Sequence, residues 1–218
     1  MKIKWYGHAA FRITTAKGTK VIIDPYEDGS FNGALAYGKI KDEADIVITS
    51  HDHQDHNYTK DLPGKYTLLS KEGSYEGRDV KVKTIPTYHD TTAGKERGHN
   101  LISVIAADGL ILAHMGDLGH MVDAPTLKKI GHVDIMFLPV GGFFTIDAAT
   151  AVTVMNAVQP VITIPMHYKT RKCAFPIAPV DDFTKGRNNV RVIKESEISV
   201  TKESLPREPE IIILQHAL

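Results

Sequence analysis

Residues 44–56 of the chain read ADIVITSHDHQDH and join a short apolar run to six residues that carry three imidazoles and two carboxylates. The β-branched run Ile46-Val47-Ile48 is typical of a buried strand, and open α/β sheets commonly place their sites at the carboxyl ends of strands. Imidazole nitrogens and carboxylate oxygens are ligands for zinc, manganese, iron and nickel. The pattern His-x-His-x-Asp-His should arise by chance in roughly two of a thousand chains of this composition. The stretch therefore predicts a metal site.

Three later segments repeat this arrangement of an apolar run followed by a ligand-type side chain. His89 follows the run ending at Ile85, Asp117 follows Leu110–Ala113 as part of a Gly-Asp pair, and His167 follows Val161–Pro165. Together with residues 51–56 they resemble the motifs of the metallo-β-lactamase superfamily. The N-terminal segments Trp5-Tyr6-Gly7-His8-Ala9 and Ile23-Asp24-Pro25 are similar to those of its small metal-dependent hydrolase branch, which includes ascorbate-phosphate lactonases and N-acyl-phosphatidylethanolamine phospholipase D.

This resemblance spans residues 1 to about 168 and implies a four-layer αβ/βα sandwich, the metallo-β-lactamase fold, with residues 1–218 as one hydrolase domain. The alternation of apolar segments by itself predicts only a mixed α/β or α+β class. The implied centre holds two divalent metal ions, with zinc as the first expectation and manganese, nickel or iron as alternatives. One ion takes His51, His53 and His89, the other takes Asp55, His56 and His167, and Asp117 bridges the two.

Such a ligand set leaves room for a shared water, whose pKa two cations lower towards roughly 7. The resemblance thus implies an enzyme in which a bridging hydroxide cleaves an ester, lactone or phosphodiester bond of a small molecule. Asp55 and Asp117 are the expected catalytic carboxylates, and Asp55 can also orient the nucleophile. Two alternatives stay open: an iron-dependent redox enzyme of the same fold, and a non-catalytic metal-binding protein.

Four further histidines lie near these motifs in the sequence. His8 is expected to contact a ligand or the substrate and is not offered as a ligand itself. His114 and His120 flank Asp117 and are candidates for contacts that orient the ligands, because metal ligands need outer partners. His99 is expected to be a loop residue without such a role.

Local signals predict several connections and helices. Residues 2–24 read as a β-hairpin that turns at residues 16–18, and Asp108-Gly109 is a strong signal for a second hairpin. Asp123 and Asp147 are expected to cap helices, the second of which covers residues 148–158. Residues 71–77 read as a short connection with one helical turn. The polar stretch 91–99 reads as a mobile loop beside His89 and a candidate substrate lid.

Composition limits the partners and the compartment. Lysine plus arginine equals aspartate plus glutamate at 26 each in 218 residues, so nucleic acid is not an expected partner. No apolar run reaches the length of a secretory signal or a membrane span, and the single cysteine, Cys173, suits a reducing compartment. The expectation is a cytoplasmic protein without membrane contact that acts on a small molecule, in which Cys173 is structural. A homo-oligomer is left open.

Overall fold

A computed structural model describes all 218 residues of the chain. In chain order the strands are β1 (Lys2–Gly7), β2 (Ala10–Thr14), β3 (Lys20–Ile23), β4 (Ile46–Ile48), β5 (Thr67–Leu69), β6 (Gly73–Gly77), β7 (Val80–Tyr88), β8 (His99–Ala107), β9 (Leu110–His114), β10 (Ile135–Pro139), β11 (Ile162–Met166), β12 (Val190–Val192), β13 (Glu197–Ser199) and β14 (Glu210–Ile213). The helices are α1 (Ser30–Gly33), α2 (Ala124–Ile130), α3 (Ala148–Val158) and α4 (Val180–Thr184), with a 3₁₀ turn at Lys202–Ser204.

The strands form two sheets. The smaller has the order β13-β1-β2-β3-β4-β5, and the larger has the order β12-β14-β11-β10-β9-β8-β7-β6. In the smaller sheet β1, β3 and β4 run in one direction, since β2 is antiparallel to both β1 and β3. In the larger sheet β7 and β9 share a direction for the same reason, and β11 follows it because β10 pairs parallel with both β9 and β11. The strands that carry the site motifs therefore end at one edge of each sheet.

The main core is a cluster of 41 buried residues contributed by both sheets and by α3 and α4. Alternation along β4 shows how the smaller sheet separates its two faces, because Ile46 and Ile48 join this main core whereas Val47 faces the other way. Val47 packs in a second cluster of 13 buried residues that includes Tyr26, Leu35 and Phe175. Irregular segments, with only the single turn α1, thus cover the outer face of the smaller sheet.

The helices α2 and α3 contact the larger sheet at β7 and β10, and α4 packs against α3. Their caps are those expected from the sequence, since the carboxylates of Asp123 and Asp147 accept from the backbone N–H groups of Thr126 and Thr150, each at 2.8 Å. The architecture is the metallo-β-lactamase sandwich. No helix combines the length and apolarity that crossing a bilayer requires.

Three local predictions need correction. The first hairpin is a three-stranded meander, because the chain reverses at Gly7-His8 and β1 pairs with β2. Residues 73–77 form strand β6, which is held mainly by main-chain pairing with β7. Their sequence lacks the apolar alternation that would predict a strand. His99 is the first residue of β8 and pairs with Tyr88, so it is not a loop residue. The Asp108-Gly109 hairpin is confirmed, with Ala107 paired to Leu110.

Candidate metal centre

The strand ends of both sheets meet at one place, and there the structure brings together all seven predicted ligands. His51, His53, Asp55 and His56 follow β4, whereas His89, Asp117 and His167 follow β7, β9 and β11. The carboxylate of Asp117 lies at the centre. Its Oδ2 is 3.1 Å from Nε2 of His89, and 3.2 Å from Nε2 of both His56 and His167.

Two clusters of ligand atoms flank Asp117. The first, here called the open cluster, consists of His51, His53 and His89, whose nearest ring nitrogens all lie within 4.8 Å of one another. The side chain of His53 is exposed. His51 also approaches Asp117, with its Nε2 at 3.9 Å from Oδ2. The open cluster therefore faces solvent on one side and the central carboxylate on the other.

The second cluster, here called the closed cluster, consists of Asp55, His56, His167 and His8. One ligand atom from each lies within 4.8 Å of the others, and all four residues are buried. His8 belongs to the closed cluster because its Nε2 lies 3.1 Å from Oδ2 of Asp55. The contact with a ligand expected for His8 is thus present, and the geometry also places His8 within reach of a cation.

Asp24, which follows β3, fixes the orientation of both clusters. Its Oδ2 lies 2.8 Å from Nδ1 of His56, so this ring nitrogen donates to Asp24 and leaves Nε2 directed at Asp117. Asp24 also accepts from the backbone N–H and the hydroxyl of Ser50, at 2.7 and 2.6 Å. The Ser50 hydroxyl is in turn 2.9 Å from Nδ1 of His51. Asp24 and Ser50 had no assigned role, although the run Ile23-Asp24-Pro25 repeats the signal of a polar side chain after a buried strand.

The glycine of the Gly116-Asp117 pair is required for steric reasons. Gly116 has φ +56°, and a Cβ there would overlap the side chains of Asn100 and Ser50. Asn100 needs this space because its Oδ1 accepts from the backbone N–H of Asp117 at 2.8 Å, while its Nδ2 donates to the carbonyl of Met115 at 2.9 Å. The amide side chain of Asn100 thereby fixes the backbone that presents the central carboxylate.

Three non-glycine residues of the centre adopt the left-handed backbone region. His8, Asp24 and His167 have φ of 52°, 48° and 51°. Such conformations cost on the order of 1–3 kcal/mol each and persist where the surrounding structure imposes them. Their concentration here shows that the fold holds these side chains in place at an energetic cost.

Buried carboxylates and imidazoles shift one another's pKa values in the centre. Burial alone would lower the pKa of His56, but the carboxylates of Asp117, Asp55 and Asp24 raise it well above its usual value. Burial would raise the pKa of Asp117, but the surrounding imidazoles, His167 first, hold it well below its usual value. In contrast, burial and then the His56 ring lower the pKa of His51 to about 3. His51 is therefore a neutral imidazole, the protonation state that binds metals.

Several polar atoms of the centre are buried without a hydrogen-bond partner: Nε2 of His51, His56 and His167, and Oδ1 of Asp117. Buried polar atoms are normally satisfied, and an unpartnered group in a native structure often marks a bound ion. These unpartnered atoms are imidazole nitrogens and a carboxylate oxygen, which are suitable ligands for a divalent transition metal. The residues of this centre therefore fit the metal ions that the sequence motifs imply.

The remaining histidines have structural contacts. His114 is buried, donates from Nε2 to the carbonyl of Ala9 at 3.0 Å, and accepts from the backbone N–H of Gly116 at 3.2 Å. Its Nδ1 lies 3.9 Å from Oδ2 of Asp24, so it borders the partner of His56. His120 accepts from the backbone N–H of Tyr88 at 3.2 Å and belongs to neither cluster. Cys173 is buried in the second apolar cluster and belongs to none of the ligand groups.

A cleft of about 460 Å³ opens over the centre. Its lining includes His53, Asp55, His89, Asp117 and His167, together with Phe31, Phe144, Phe175 and Arg97. Phe31 belongs to the long segment between β3 and β4. Arg97 belongs to the loop 91–98, which Asp90 anchors by accepting from the backbone N–H groups of Thr92, Gly94, Glu96 and Arg97. That this loop moves as a lid stays a prediction.

Comparisons with known proteins agree with the motifs. The chain matches the family described as "Beta-lactamase superfamily domain" over residues 2–167. It is 31% identical to a UPF0173 metal-dependent hydrolase of Thermococcus onnurineus, with 78% of this chain and 85% of the relative covered. It is 29% identical to a UPF0173 metal-dependent hydrolase of Archaeoglobus fulgidus, with 85% and 90% covered.

A solved structure extends the comparison to the whole chain. A metallo-beta-lactamase superfamily protein from Thermotoga maritima superposes with a TM-score of 0.79 at 28% identity, with 98% of both chains covered. The match thus includes the C-terminal strands, which lie beyond the motifs. The chain belongs to the metallo-β-lactamase superfamily and, within it, to the family of metal-dependent hydrolases that these relatives represent.

Proposed function

We propose that this metal-dependent hydrolase is binuclear and cleaves an ester, lactone or phosphodiester bond of a small molecule. The observation that carries the proposal is the position of Asp117. One oxygen of this buried carboxylate lies 3.1 Å from His89 of the open cluster and 3.2 Å from His56 and His167 of the closed cluster. A carboxylate that lies between two groups of histidine side chains is suited to bridge two cations.

His51, His53 and His89 would hold one ion, and Asp55, His56 and His167 the other. Divalent ions bound there, zinc first, would polarise the scissile bond and acidify a water for direct attack. The chain itself contributes the positioning. Asp24 and Asn100 orient His56 and Asp117 without reaching the cleft, so the ligand geometry is set before substrate arrives.

Asp55 is the residue best placed to handle a proton. It is 7% exposed, lines the cleft, and has its Oδ2 held by His8 at 3.1 Å. Burial would raise its pKa, but the His56 and His8 rings outweigh burial and lower it below the usual value. Asp55 is therefore ionised at neutral pH and accepts a hydrogen bond from an attacking water, which orients that water towards the bond.

The cleft sets the size of the substrate. Its volume of about 460 Å³ falls within the range typical of small-molecule sites, about 300–1,000 Å³. The net charge of zero provides no general attraction for a polyanion. Both observations support a small molecule in preference to a nucleic acid.

A metal analysis followed by a hydrolytic screen tests this proposal. Protein purified without chelator should carry close to two metal equivalents and hydrolyse ester, lactone or phosphodiester probes. Chelation should abolish the turnover and reloading should restore it. Asp55→Asn should bind the closed-cluster ion more weakly, because a ligand carboxylate is lost, and should lose most activity even at saturating metal.

Other results would support the alternatives. Iron as the only activating metal, together with oxygen consumption and no hydrolysis, would support the redox enzyme. Two bound metals without turnover of any probe class would support a non-catalytic metal-binding protein. A stable stoichiometry of one metal with full activity would contradict the binuclear site.

A further inference from the structure

Arg97 is the only lysine or arginine that lines the cleft over the metal centre. The other charged side chains at its rim, Asp52 and Glu96, are acidic, and the floor consists of ligand histidines and carboxylates. A ligand in this cleft thus meets a single cationic side chain apart from any metal ions, whereas an adjoining pocket beside His51 and His53 is lined by Lys71 as well as Arg97. The chemistry of Arg97 therefore bears on what that ligand carries.

The backbone of Arg97 is held in place from two directions. Its N–H donates to Oδ2 of Asp90 at 2.8 Å, and the carbonyl of the next residue, Gly98, accepts from the backbone N–H of His89 at 3.0 Å. Asp90 and His89 directly follow β7. The position of Arg97 is thus tied to the same strand end that supplies a ligand of the open cluster, and its distance from the centre is defined by the fold.

The guanidinium of Arg97 has no hydrogen-bond partner within the protein. It lies over the ring of Phe144, with Cζ at 6.0 Å from the ring centroid, and its nearest carboxylate is that of Glu96 at 3.8 Å. The side chain of Glu96 is 57% exposed and that of Arg97 34% exposed. A guanidinium stacked on an aromatic face keeps its planar fork of N–H groups free for a bidentate contact with a carboxylate or phosphate.

Three aromatic rings from separate segments form a wall of the same cleft. Phe175 lies against Phe31 and Phe144, with ring centroids 5.2 and 5.5 Å apart. Phe31 is 44% exposed. Phe144 is half-buried and Phe175 is buried, so Phe31 is the most exposed ring of this wall. An aromatic wall in a concave site favours an apolar ligand portion, because contact with it removes the remaining ring surface from water.

From this arrangement we infer that the substrate carries an anionic group, a carboxylate or a phosphate, which Arg97 binds, and an apolar portion that packs on Phe31, Phe144 and Phe175. This inference deepens the proposed function and rests on it for the bond that is cleaved. In this assignment the anionic group is a part of the substrate other than the reacting bond. The acidic rim residues Asp52 and Glu96 disfavour a second position for that anion.

Paired probes with a charge remote from the reacting bond test the inference. The turnover pair is 4-nitrophenyl hexanoate and the 4-nitrophenyl monoester of adipic acid, which adds a terminal carboxylate. The binding set consists of hexananilide, adipic acid monoanilide and the phosphate ester of 6-hydroxyhexananilide, measured by calorimetry on the zinc-loaded protein. The variants are Arg97→Gln, Arg97→Lys and the control Arg187→Gln. Arg187 also lies over a phenylalanine ring, Phe183 at 5.7 Å, but does not line this cleft.

The wild type should prefer the anionic member of each set by roughly tenfold or more, the effect typical of a hydrogen-bonded charge. Arg97→Gln should remove this preference by raising KM for the adipate monoester, with values for the hexanoate unchanged within about twofold. Arg97→Lys should keep part of the preference, and Arg187→Gln all of it. The better bound of the two anionic anilides identifies carboxylate or phosphate as the group.

The inference fails if the wild type shows no preference for anionic probes, or if Arg97→Gln weakens neutral and anionic probes equally. Hydrolysis of both esters without a charge preference would overturn the inference alone. A charge preference in anilide binding that Arg97→Gln removes, with no hydrolysis of either ester, would support the anion site and count against the proposed hydrolytic reaction.

Discussion

The open and closed clusters use similar side chains on either side of Asp117, yet the fold supports them differently. In the closed cluster His8, His56 and His167 are at most 1% exposed, and Asp55 is 7% exposed. His56 is held by Asp24 and Asp55 by His8. In the open cluster His53 is exposed, and Nδ1 of His51 meets the neutral hydroxyl of Ser50. The closed cluster is thus the more deeply buried of the two, although Asp55 and His167 also line the cleft.

This difference separates two tasks that a binuclear centre must perform. Orientation of ligands requires side chains whose positions are fixed before binding, and buried hydrogen bonds provide this. Access for substrate and solvent requires side chains at a surface. The buried partner of the closed cluster is the charged carboxylate of Asp24, whereas the buried partner of the open cluster is the neutral hydroxyl of Ser50. Mutations in the two clusters should therefore differ in their effect on folding even where their effects on metal binding are alike.

The largest effect is expected where the clusters meet. Asp117→Asn keeps the shape of the side chain but removes the charge shared by both clusters, so both metal sites should weaken. We expect fewer than about one bound equivalent and a loss of activity on the order of 10³-fold or more, because a catalytic ion loses its ligand. Elemental analysis and kcat/KM measure the two effects.

Asp123→Asn is the matched control for that variant, since Asp123 only caps α2 at the surface. It should bind both metals and keep full activity. Loss of one metal only in Asp117→Asn, with the other held normally, would show that Asp117 serves a single cluster and does not join the two.

The second effect concerns stability without metal. His56→Ala leaves the Asp24 carboxylate without its imidazole partner inside the core, which should cost about 2–4 kcal/mol of unfolding free energy. His53→Ala removes an exposed ring and should change the free energy by about 0.5 kcal/mol or less. Urea unfolding in the presence of a chelator measures both variants free of any contribution from bound metal. Equal losses in the two variants would contradict the distinction between the closed and the open cluster.

The parts of the molecule that sequence could predict are those governed by local rules. Asp147 and Pro160 bound a helix at residues 148–158 because capping and the missing proline N–H act over a few residues, and the structure confirms that helix. The resemblance of the motifs after β4, β7, β9 and β11 to those of the superfamily predicted which side chains meet, and the structure brings them together at the strand ends of the two sheets. Strand β6 was not predicted because its sequence, Gly-Ser-Tyr-Glu-Gly, has no apolar alternation, and its position depends on pairing with β7.

The supporting partners of the centre could not be assigned from spacing. Asn100 reaches the backbone of Asp117 across 17 residues, and Asp24 reaches His56 across 32. Neither lies at an interval that a helix or strand period would mark. The left-handed backbone of His8 and His167 likewise results from long-range packing, because the backbone N–H of His167 donates to the carbonyl of His8 at 3.2 Å.

The smallest effect is expected at His8, and it decides whether this residue is a ligand of the closed cluster or a support for one. Burial, and then the His167 ring, lower the pKa of His8 to about 4, so it is neutral at pH 7 and can donate from one nitrogen only. Donation from Nε2 to Oδ2 of Asp55 makes it a support. His8→Gln should keep that donor, whereas His8→Leu should lose it and weaken the closed-cluster metal about tenfold. Titration against a competing chelator measures both affinities, with the open-cluster metal as internal reference. If His8 is a support, both variants should still bind two equivalents at saturating metal, and Gln should resemble the wild type. If His8 were a ligand, both variants should weaken the same ion alike, because neither side chain replaces an imidazole.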